Sequence, residues 1–164
     1  MTHPIWELAV EKAALVLMPC PGTRQVTLLD SLKQLKQSGV TVIVSAITRE
    51  EMTAKQVESL GQTAQGLGLG WIHLPIEDNS VPSALFTEHW PTVSVQLRAA
   101  LKRGNKVALH CMGGSGRTGL LAAHVLLDCG WPLTQCISDI QALRPAAFSS
   151  AQQRAYIEQV ATSR

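Results

Sequence analysis

Residues 110–119 read HCMGGSGRTG and combine one thiol, one guanidinium and a run of small residues. Cys111 and Arg117 stand at the two ends of five uncharged residues, three of which are glycines. A glycine-rich backbone curls readily, so its successive N–H groups can face one point and hold an anion. Arg117 adds a planar fork that fits two oxygens of a phosphate, and this cationic setting favours a thiolate at Cys111. The spacing therefore predicts an anion site with a sulfur nucleophile beneath it.

Such a site supports displacement at phosphorus. We expect the Cys111 thiolate to attack, the loop amides to hold the non-bridging oxygens, and Arg117 to hold them through the transition state. A glycine-rich turn that only packs tightly, with Cys111 as a small buried side chain, is the competing interpretation. A nucleotide-binding loop of the type GxxxxGK[ST] is excluded because this stretch contains no Lys. The predicted substrate-binding set is Met112, Gly113, Gly114, Ser115, Gly116 and Arg117.

Displacement at phosphorus also calls for a proton donor, because an alkoxide or phenoxide departs faster when a carboxylic acid protonates it. The loop EDNSVPS offers Glu77 and Asp78 side by side, although Asp-Asn-Ser is also an ordinary turn sequence. Alternation along the chain should aim Glu77 away, so Asp78 is the predicted acid. Thr118 directly follows the Arg, and its hydroxyl can hydrogen-bond the sulfur and help it leave. A first-turn helical Thr without a catalytic role fits the same position.

Around this loop, apolar stretches bounded by turn residues alternate with helical patterns. The alternation predicts an α/β fold with a mostly parallel central sheet flanked by helices. We divide one helical stretch near Trp90, because Pro91 fits the first turn of a helix better than its interior. The predicted strands cover residues 13–18, 40–47, 70–76 and 106–110. The predicted helices cover residues 27–38 with Gly39 as the stop, residues 49–66, two halves ending at about Arg103, and residues 117–130, 134–143 and 150–161.

The composition suits one well-buried core, since 46% of the 164 residues are apolar and 16% are charged. We expect residues 1–164 to form a single domain. The N-terminus lacks a basic patch ahead of an apolar run and resembles neither a signal peptide nor a membrane span, which predicts a cytoplasmic location. The formal net charge is +2, and residues 83–164 carry 8 basic and 4 acidic side chains. This mild excess suits an anionic substrate but not a nucleic acid, and it leaves the oligomeric state open.

The remaining thiols and the histidines show no metal-ligand or CxxC spacing. We therefore predict no metal, no cofactor and reduced cysteines. Cys20, Cys129 and Cys136 are expected in the core or at its edge. One of them can rescue an oxidised Cys111 only if the fold brings the two thiols together.

HCMGGSGRTG resembles the signature of the cysteine-dependent protein tyrosine and dual-specificity phosphatase superfamily. Within it, the resemblance is greatest to the kinase-associated phosphatase (cyclin-dependent kinase inhibitor 3) group and its bacterial relatives. It runs in order from LMPCPGT through SGVTVIVSAITREEM and HLPIEDNSVPS to LRPAAFSSAQQRAYIEQV. Ala146 stands where relatives commonly have Gly, and Thr118-Gly119 replaces the Ser-Cys of the kinase-associated enzyme. The resemblance therefore implies the superfamily and its fold but not one particular substrate.

The resemblance also implies roles for individual residues. Asp78 matches the general acid of the family, and the reaction passes through a cysteinyl-phosphate at Cys111. His110 orders the loop through hydrogen bonds, and Ser115 braces it in the same way. Gln153 matches the position that orients the hydrolytic water, but residues 150–153 also fit a helix capping box, which we favour. The implied substrate is a phosphorylated protein or a small phosphomonoester. A module of the pseudophosphatase kind, which binds a phosphorylated partner without turnover, is the alternative.

Overall fold

The computed structural model describes all residues from 1 to 164. Its core is a five-stranded sheet in the order β1-β2-β5-β3-β4. The last four of these strands run parallel, and β1 pairs antiparallel with β2 at one edge. The mostly parallel sheet is therefore confirmed. The strands are β1 (Trp6–Val10), β2 (Ala13–Met18), β3 (Val40–Ser45), β4 (Gly70–His73) and β5 (Lys106–His110).

Seven helices cover the two faces of the sheet. Side chains of α4 and α5 share the larger apolar cluster with one face, and those of α1 and α3 share a smaller cluster with the other. No helix is both long enough and apolar enough to cross a membrane. The helices are α1 (Leu28–Gln37), α2 (Arg49–Ala54), α3 (Leu60–Gly66), α4 (Ala84–Lys102), α5 (Gly116–Asp128), α6 (Leu133–Leu143) and α7 (Ala151–Thr162).

The N-terminal strand β1 was not predicted. It alternates between buried Leu8 and Val10 and exposed neighbours, as an edge strand with one covered face does. The turn that joins it to β2 contains Glu11 at a φ of 55° and no Gly or Asn, so the usual hairpin signal is absent. β1 therefore makes the sheet mixed rather than wholly parallel.

One helix prediction was wrong and another was incomplete. The helical region predicted over residues 49–66 consists of two helices, α2 and α3, because Gln56 adopts a φ of 58° and Val57 folds back to bond Met52 O at 2.9 Å. The stretch around Trp90 is not divided, and α4 runs unbroken with Pro91 inside it. Pro91 and Thr87 both lie on the exposed side of α4, where water can bond the carbonyl that the proline leaves without an N–H.

The sheet brings the HCMGGSGRTG stretch to its centre. β5 lies between β2 and β3, and His110 at its end is in register with Met18 and Ser45. The loop that follows leads directly into α5, whose side chains are buried for most of its length. Ligands of parallel α/β sheets bind at this carboxyl edge, next to the free N–H groups of a helix N-terminus.

Candidate active site

The loop between β5 and α5 forms the floor of a cavity of about 410 Å³. Segments far apart in the chain complete its walls: the loop after β4, the segment after α6, and the first turn of α7. The structure thus brings together the nucleophile, the guanidinium, the acid and the amide predicted from the sequence. The lining residues are Asp78, Asn79, Cys111, Met112, Gly113, Ser115, Gly116, Arg117, Ala146, Ser149, Ser150 and Gln153.

Two donors converge on the sulfur of Cys111. The backbone N–H of Gly114 lies 3.3 Å from Sγ, and the hydroxyl of Thr118 donates to Sγ at 3.1 Å. Cys111 is 3% exposed and Thr118 is fully buried, so water does not compete strongly for these bonds. Hydrogen bonds of this kind stabilise negative charge on sulfur. Thr118 therefore lies in the first turn of α5 and also contacts the sulfur.

Arg117 is 3% exposed, and its guanidinium is held by Glu51 in a two-point contact. Nη1 donates to Glu51 Oε1 at 2.6 Å and to Ile76 O at 2.9 Å, and Nη2 donates to Glu51 Oε2 at 2.8 Å. The N–H on Nε and the second N–H on Nη2 make no hydrogen bond within the protein. These two lie side by side on one edge of the guanidinium, an arrangement that fits two oxygens of a phosphate.

The ion pair shifts both of its members toward their charged forms. Hydrogen bonds from Arg117 lower the pKa of Glu51 against the opposing effect of burial. Burial would lower the pKa of Arg117, but the bonds to Glu51 and the nearby Cys111 sulfur raise it. The guanidinium is therefore charged and held in a fixed position in the absence of a ligand.

Glu51 was not singled out from the sequence. It sits in the first turn of α2, where Thr48 and Glu51 form a capping box with both reciprocal bonds present. The Thr-x-x-Glu pattern that marks this box was visible in the sequence, but it predicts a helix start and not a contact with Arg117. The partners lie 66 residues apart, so only the fold joins them.

His110 is fully buried and lies within hydrogen-bond distance of the first residue of the loop. Its Nδ1 lies 2.9 Å from the carbonyl of Cys111, which can only accept, so Nδ1 carries the proton. Nε2 then accepts from the Ser45 hydroxyl at 2.5 Å, and Ser45 accepts from Trp71 Nε1 at 2.8 Å. Every donor in this chain has an acceptor when the ring is neutral. Burial lowers the pKa of His110 to about 4, in agreement with that neutral state.

The predicted acid lies at the mouth of the cavity. Asp78 is 70% exposed, and its Oδ1 is 3.5 Å from Arg117 Nη2 and accepts from the backbone N–H of Asn79 at 3.0 Å. Glu77, the adjacent candidate, does not line the cavity. Of the two carboxylates, only Asp78 is therefore in reach of a group bound above Cys111.

The capping-box interpretation of residues 150–153 was half right. Ser150 caps α7 by accepting from the backbone N–H of Gln153 at 3.3 Å. The Gln153 side chain does not return the bond; its Nε2 donates to Ser80 O at 3.2 Å, and it lines the cavity above Gly116. The side chain turns inward because the loop after β4 offers a carbonyl there. Ser115, expected to brace the loop, lines the cavity without a capping bond.

The backbone of Cys20 supports the loop. Its backbone N–H donates to Met112 O at 3.0 Å, and its side chain is fully buried. Burial and the nearby Cys111 sulfur raise the pKa of Cys20 to about 12, which keeps it protonated. Cys136 is also buried and Cys129 partly so, as expected for residues of the core and its edge.

Comparison with known proteins adds a family context to this geometry. The family model described as "Tc-R-P: Polymorphic toxin system, DSP-PTPase phosphatase" matches residues 18–131. The chain is 33% identical to cyclin-dependent kinase inhibitor 3 of Rattus norvegicus over 111 residues. This aligned region covers 68% of this chain and 49% of that protein. Over 90 residues the chain is 30% identical to tyrosine-protein phosphatase CDC14 of Saccharomyces cerevisiae, which covers 54% of this chain and 16% of that protein. The chain thus spans about half or less of the length of these two relatives.

Solved structures show the same architecture. The crystal structure of kinase associated phosphatase with its catalytic-site cysteine replaced by serine superposes with a TM-score of 0.88 at 25% identity, covering 99% of this chain and 96% of that one. Human DUSP28 superposes with a TM-score of 0.70 at 17% identity, over 99% and 96% of the two chains, and shares the fold.

Proposed function

We propose that this chain, which belongs to the DSP-PTPase phosphatase family of polymorphic toxin systems and so to the cysteine-dependent dual-specificity phosphatase superfamily, hydrolyses phosphomonoesters through a cysteinyl-phosphate. The sequence resemblance to that superfamily is confirmed by the matched family. The observation that carries the proposal is the sulfur of Cys111, which receives two hydrogen bonds at the floor of a cavity that Arg117 flanks.

In the first step the Cys111 thiolate attacks phosphorus and forms the S–P bond as the P–O bond to the leaving group breaks. The non-bridging oxygens accept hydrogen bonds from the N–H groups of the loop and from the free edge of Arg117. Asp78 gives its proton to the departing oxygen, which leaves as an alcohol or phenol. Its exposed position at the mouth suits a donor that meets the leaving group and not the phosphoryl group.

In the second step water attacks phosphorus, Asp78 takes a proton from that water, and the S–P bond breaks to release inorganic phosphate. Thr118 donates to the sulfur as it departs as a thiolate. Gln153 lies across the cavity and has a side-chain oxygen free to accept from the water. The enzyme returns to its starting state with no cofactor consumed.

The lining of the cavity bears on the substrate class. It contains no aromatic side chain that could stack on a phenyl ring. We propose a phosphorylated protein or a small phosphomonoester as substrate, with phosphoserine and phosphothreonine accepted beside phosphotyrosine. Residues 1–164 act as one catalytic domain in this scheme. The four free cysteines, one of them the nucleophile, suit a reducing compartment such as the cytoplasm.

Phosphate release from an aryl phosphate, with the Cys111→Ser variant beside the wild type, tests the proposal. We expect the wild type to release phosphate in repeated turnovers and Cys111→Ser to release none. Cys111→Ser should still bind tungstate, because the amides and Arg117 remain. Turnover by the serine variant would refute the nucleophile, and a wild type that binds tungstate without any turnover would establish the binding-module alternative.

A further inference from the structure

A second arginine donates hydrogen bonds to the loop between β5 and α5 from outside the cavity. Arg144 follows the last turn of α6, and its Nε donates to Gly114 O at 3.1 Å while its Nη2 donates to Gly113 O at 2.9 Å. The two carbonyls belong to consecutive peptide units, so one guanidinium holds a continuous piece of backbone. Arg144 does not line the cavity.

The hydrogen bonds from Arg144 to these carbonyls set the direction of two N–H groups. In a planar trans peptide the C=O and the N–H point in opposite directions, and the chain contains no cis peptide. Gly113 O shares a peptide unit with the N–H of Gly114, and Gly114 O shares one with the N–H of Ser115. Holding both oxygens on the outside therefore turns both N–H groups inward, and the Gly114 N–H does point at Cys111 Sγ.

The backbone of this segment is confined on one side and open on the other. Gly114 has a φ of +85°, and a Cβ there would lie 2.7 Å from backbone atoms of Met18 and Pro19. The neighbouring Gly113 is exposed and has no atom within 4 Å of an added Cβ. One side of the loop is thus pressed against β2, and on the other side Arg144 supplies the hydrogen bonds.

Trp6 holds the guanidinium of Arg144 in turn. The guanidinium carbon lies 3.9 Å from the centroid of the Trp6 ring, the distance of a cation–π contact. Stacking on the ring leaves the edge of the guanidinium, with its N–H groups, directed at the loop. Burial lowers the pKa of Arg144, and the nearby Cys111 sulfur opposes that shift.

We propose that Trp6 and Arg144 form a bracket that presets the Gly114 and Ser115 N–H groups for the oxygens of a phosphate; the bracket deepens the proposed function and rests on it. Both are positioning residues, since neither touches the reacting atoms. A fixed cation bonded to the carbonyl ends also polarises the two peptide units and strengthens their N–H groups as donors. The β1 strand that the sequence analysis missed thereby belongs to the support of the site.

Tungstate titration of Arg144→Met and Arg144→Lys tests the bracket without requiring turnover. We expect Arg144→Met to weaken tungstate binding by about 10- to 100-fold, because the Gly114 and Ser115 N–H groups lose their fixed direction and with it about the worth of one or two hydrogen bonds to the charged oxyanion. Arg144→Lys keeps the charge but offers its donors from one nitrogen instead of a planar fork with two, so it should recover only part of the affinity. Arg154→Met removes an exposed arginine whose partner Glu158 lies 3.8 Å away, and it should bind as the wild type does.

Backbone amide spectra separate positioning from general loss of stability. In the wild type, tungstate should shift the amide signals of Gly114 and Ser115 strongly, and in Arg144→Met these shifts should shrink while the core signals stay in place. Trp6→Phe should retain the affinity, and Trp6→Leu should lose part of it. Wild-type affinity in Arg144→Met, or equal affinity in Trp6→Phe and Trp6→Leu, would overturn the bracket. A wild type that binds tungstate through these amides but releases no phosphate would refute the proposed function and leave the bracket standing.

Discussion

Glu51→Gln tests how Arg117 is held. The substitution keeps the shape of the side chain but removes its charge, and it places an amide N–H against a guanidinium that can only donate. Breaking a buried ion pair typically costs about 3–5 kcal/mol. The Glu51 side chain is 22% exposed, which reduces the loss, so we expect the variant to be less stable by about 2–3 kcal/mol. For a chain of this length that corresponds to a fall in Tm of about 4–12 °C.

A bound oxyanion should return much of this lost stability. Arg117 in the variant keeps only the exposed carboxylate of Asp78, 3.5 Å away, as a negative partner, and a tungstate seated on the loop supplies a further one. The rise in Tm on adding saturating tungstate should therefore be larger in Glu51→Gln than in the wild type. The kcat for an aryl phosphate should fall, because the free edge of the guanidinium is no longer fixed toward the cavity.

Glu50→Gln is the matched control. Glu50 occupies the same first turn of α2 and shares the favourable interaction with the helix dipole, but it is exposed and forms no ion pair. Thermal denaturation followed by circular dichroism, with and without tungstate, measures all three proteins. Equal Tm values for Glu51→Gln and Glu50→Gln would refute the argument, as would a tungstate effect of the same size in both.

Three further outcomes follow from the structure. Asp78→Asn should lower kcat by about 10²–10⁴ for a phosphate ester with a poor leaving group and by less for a good one; equal effects in steady-state assays would move the acid elsewhere. His110 and His124 are buried, and their pKa values, lowered by burial to about 4, lie below the ordinary 6.5. The contribution of each neutral His to the free energy of unfolding should thus be fully present above pH 6.5 and be lost as the pH falls toward 4. The loss should be about 3 kcal/mol for each His, which urea titrations at several pH values measure. Gly114→Ala should destabilise the fold by about 2–4 kcal/mol and abolish tungstate binding, whereas Gly113→Ala should fold normally, and equal unfolding midpoints for the two would contradict the loop geometry.

The sequence was most informative where one stretch of chain carries the whole signal. Residues 110–119 contain the predicted nucleophile, the guanidinium and the glycines. The buried strands that begin at residues 40 and 106 are predicted by their β-branched and apolar runs. Local patterns were misleading at Pro91, where the helix continues because the proline lies on its exposed side. They were also misleading at Glu11, where the turn lacks the residues usual in a hairpin. These are places where solvent or tertiary packing decides the conformation.

The supporting contacts of the site were not predictable, because they join distant segments. Glu51 reaches Arg117 across 66 residues, and Arg144 reaches the loop across about 30. A first-turn Glu and an Arg after a helix are ordinary residues in any sequence. Gln153 shows the same limit, since its capping role is local and its inward side chain depends on the carbonyl of Ser80.

Trapping the covalent intermediate tests the central claim most directly. The protein is mixed with an aryl phosphate, quenched in acid within the first turnover, and digested for mass spectrometry. We predict one added phosphoryl group per chain, bonded to the sulfur of Cys111 and absent from Cys111→Ser. Phosphate release with no phosphoryl group on any cysteine, or with the group on a residue other than Cys111, would contradict the account.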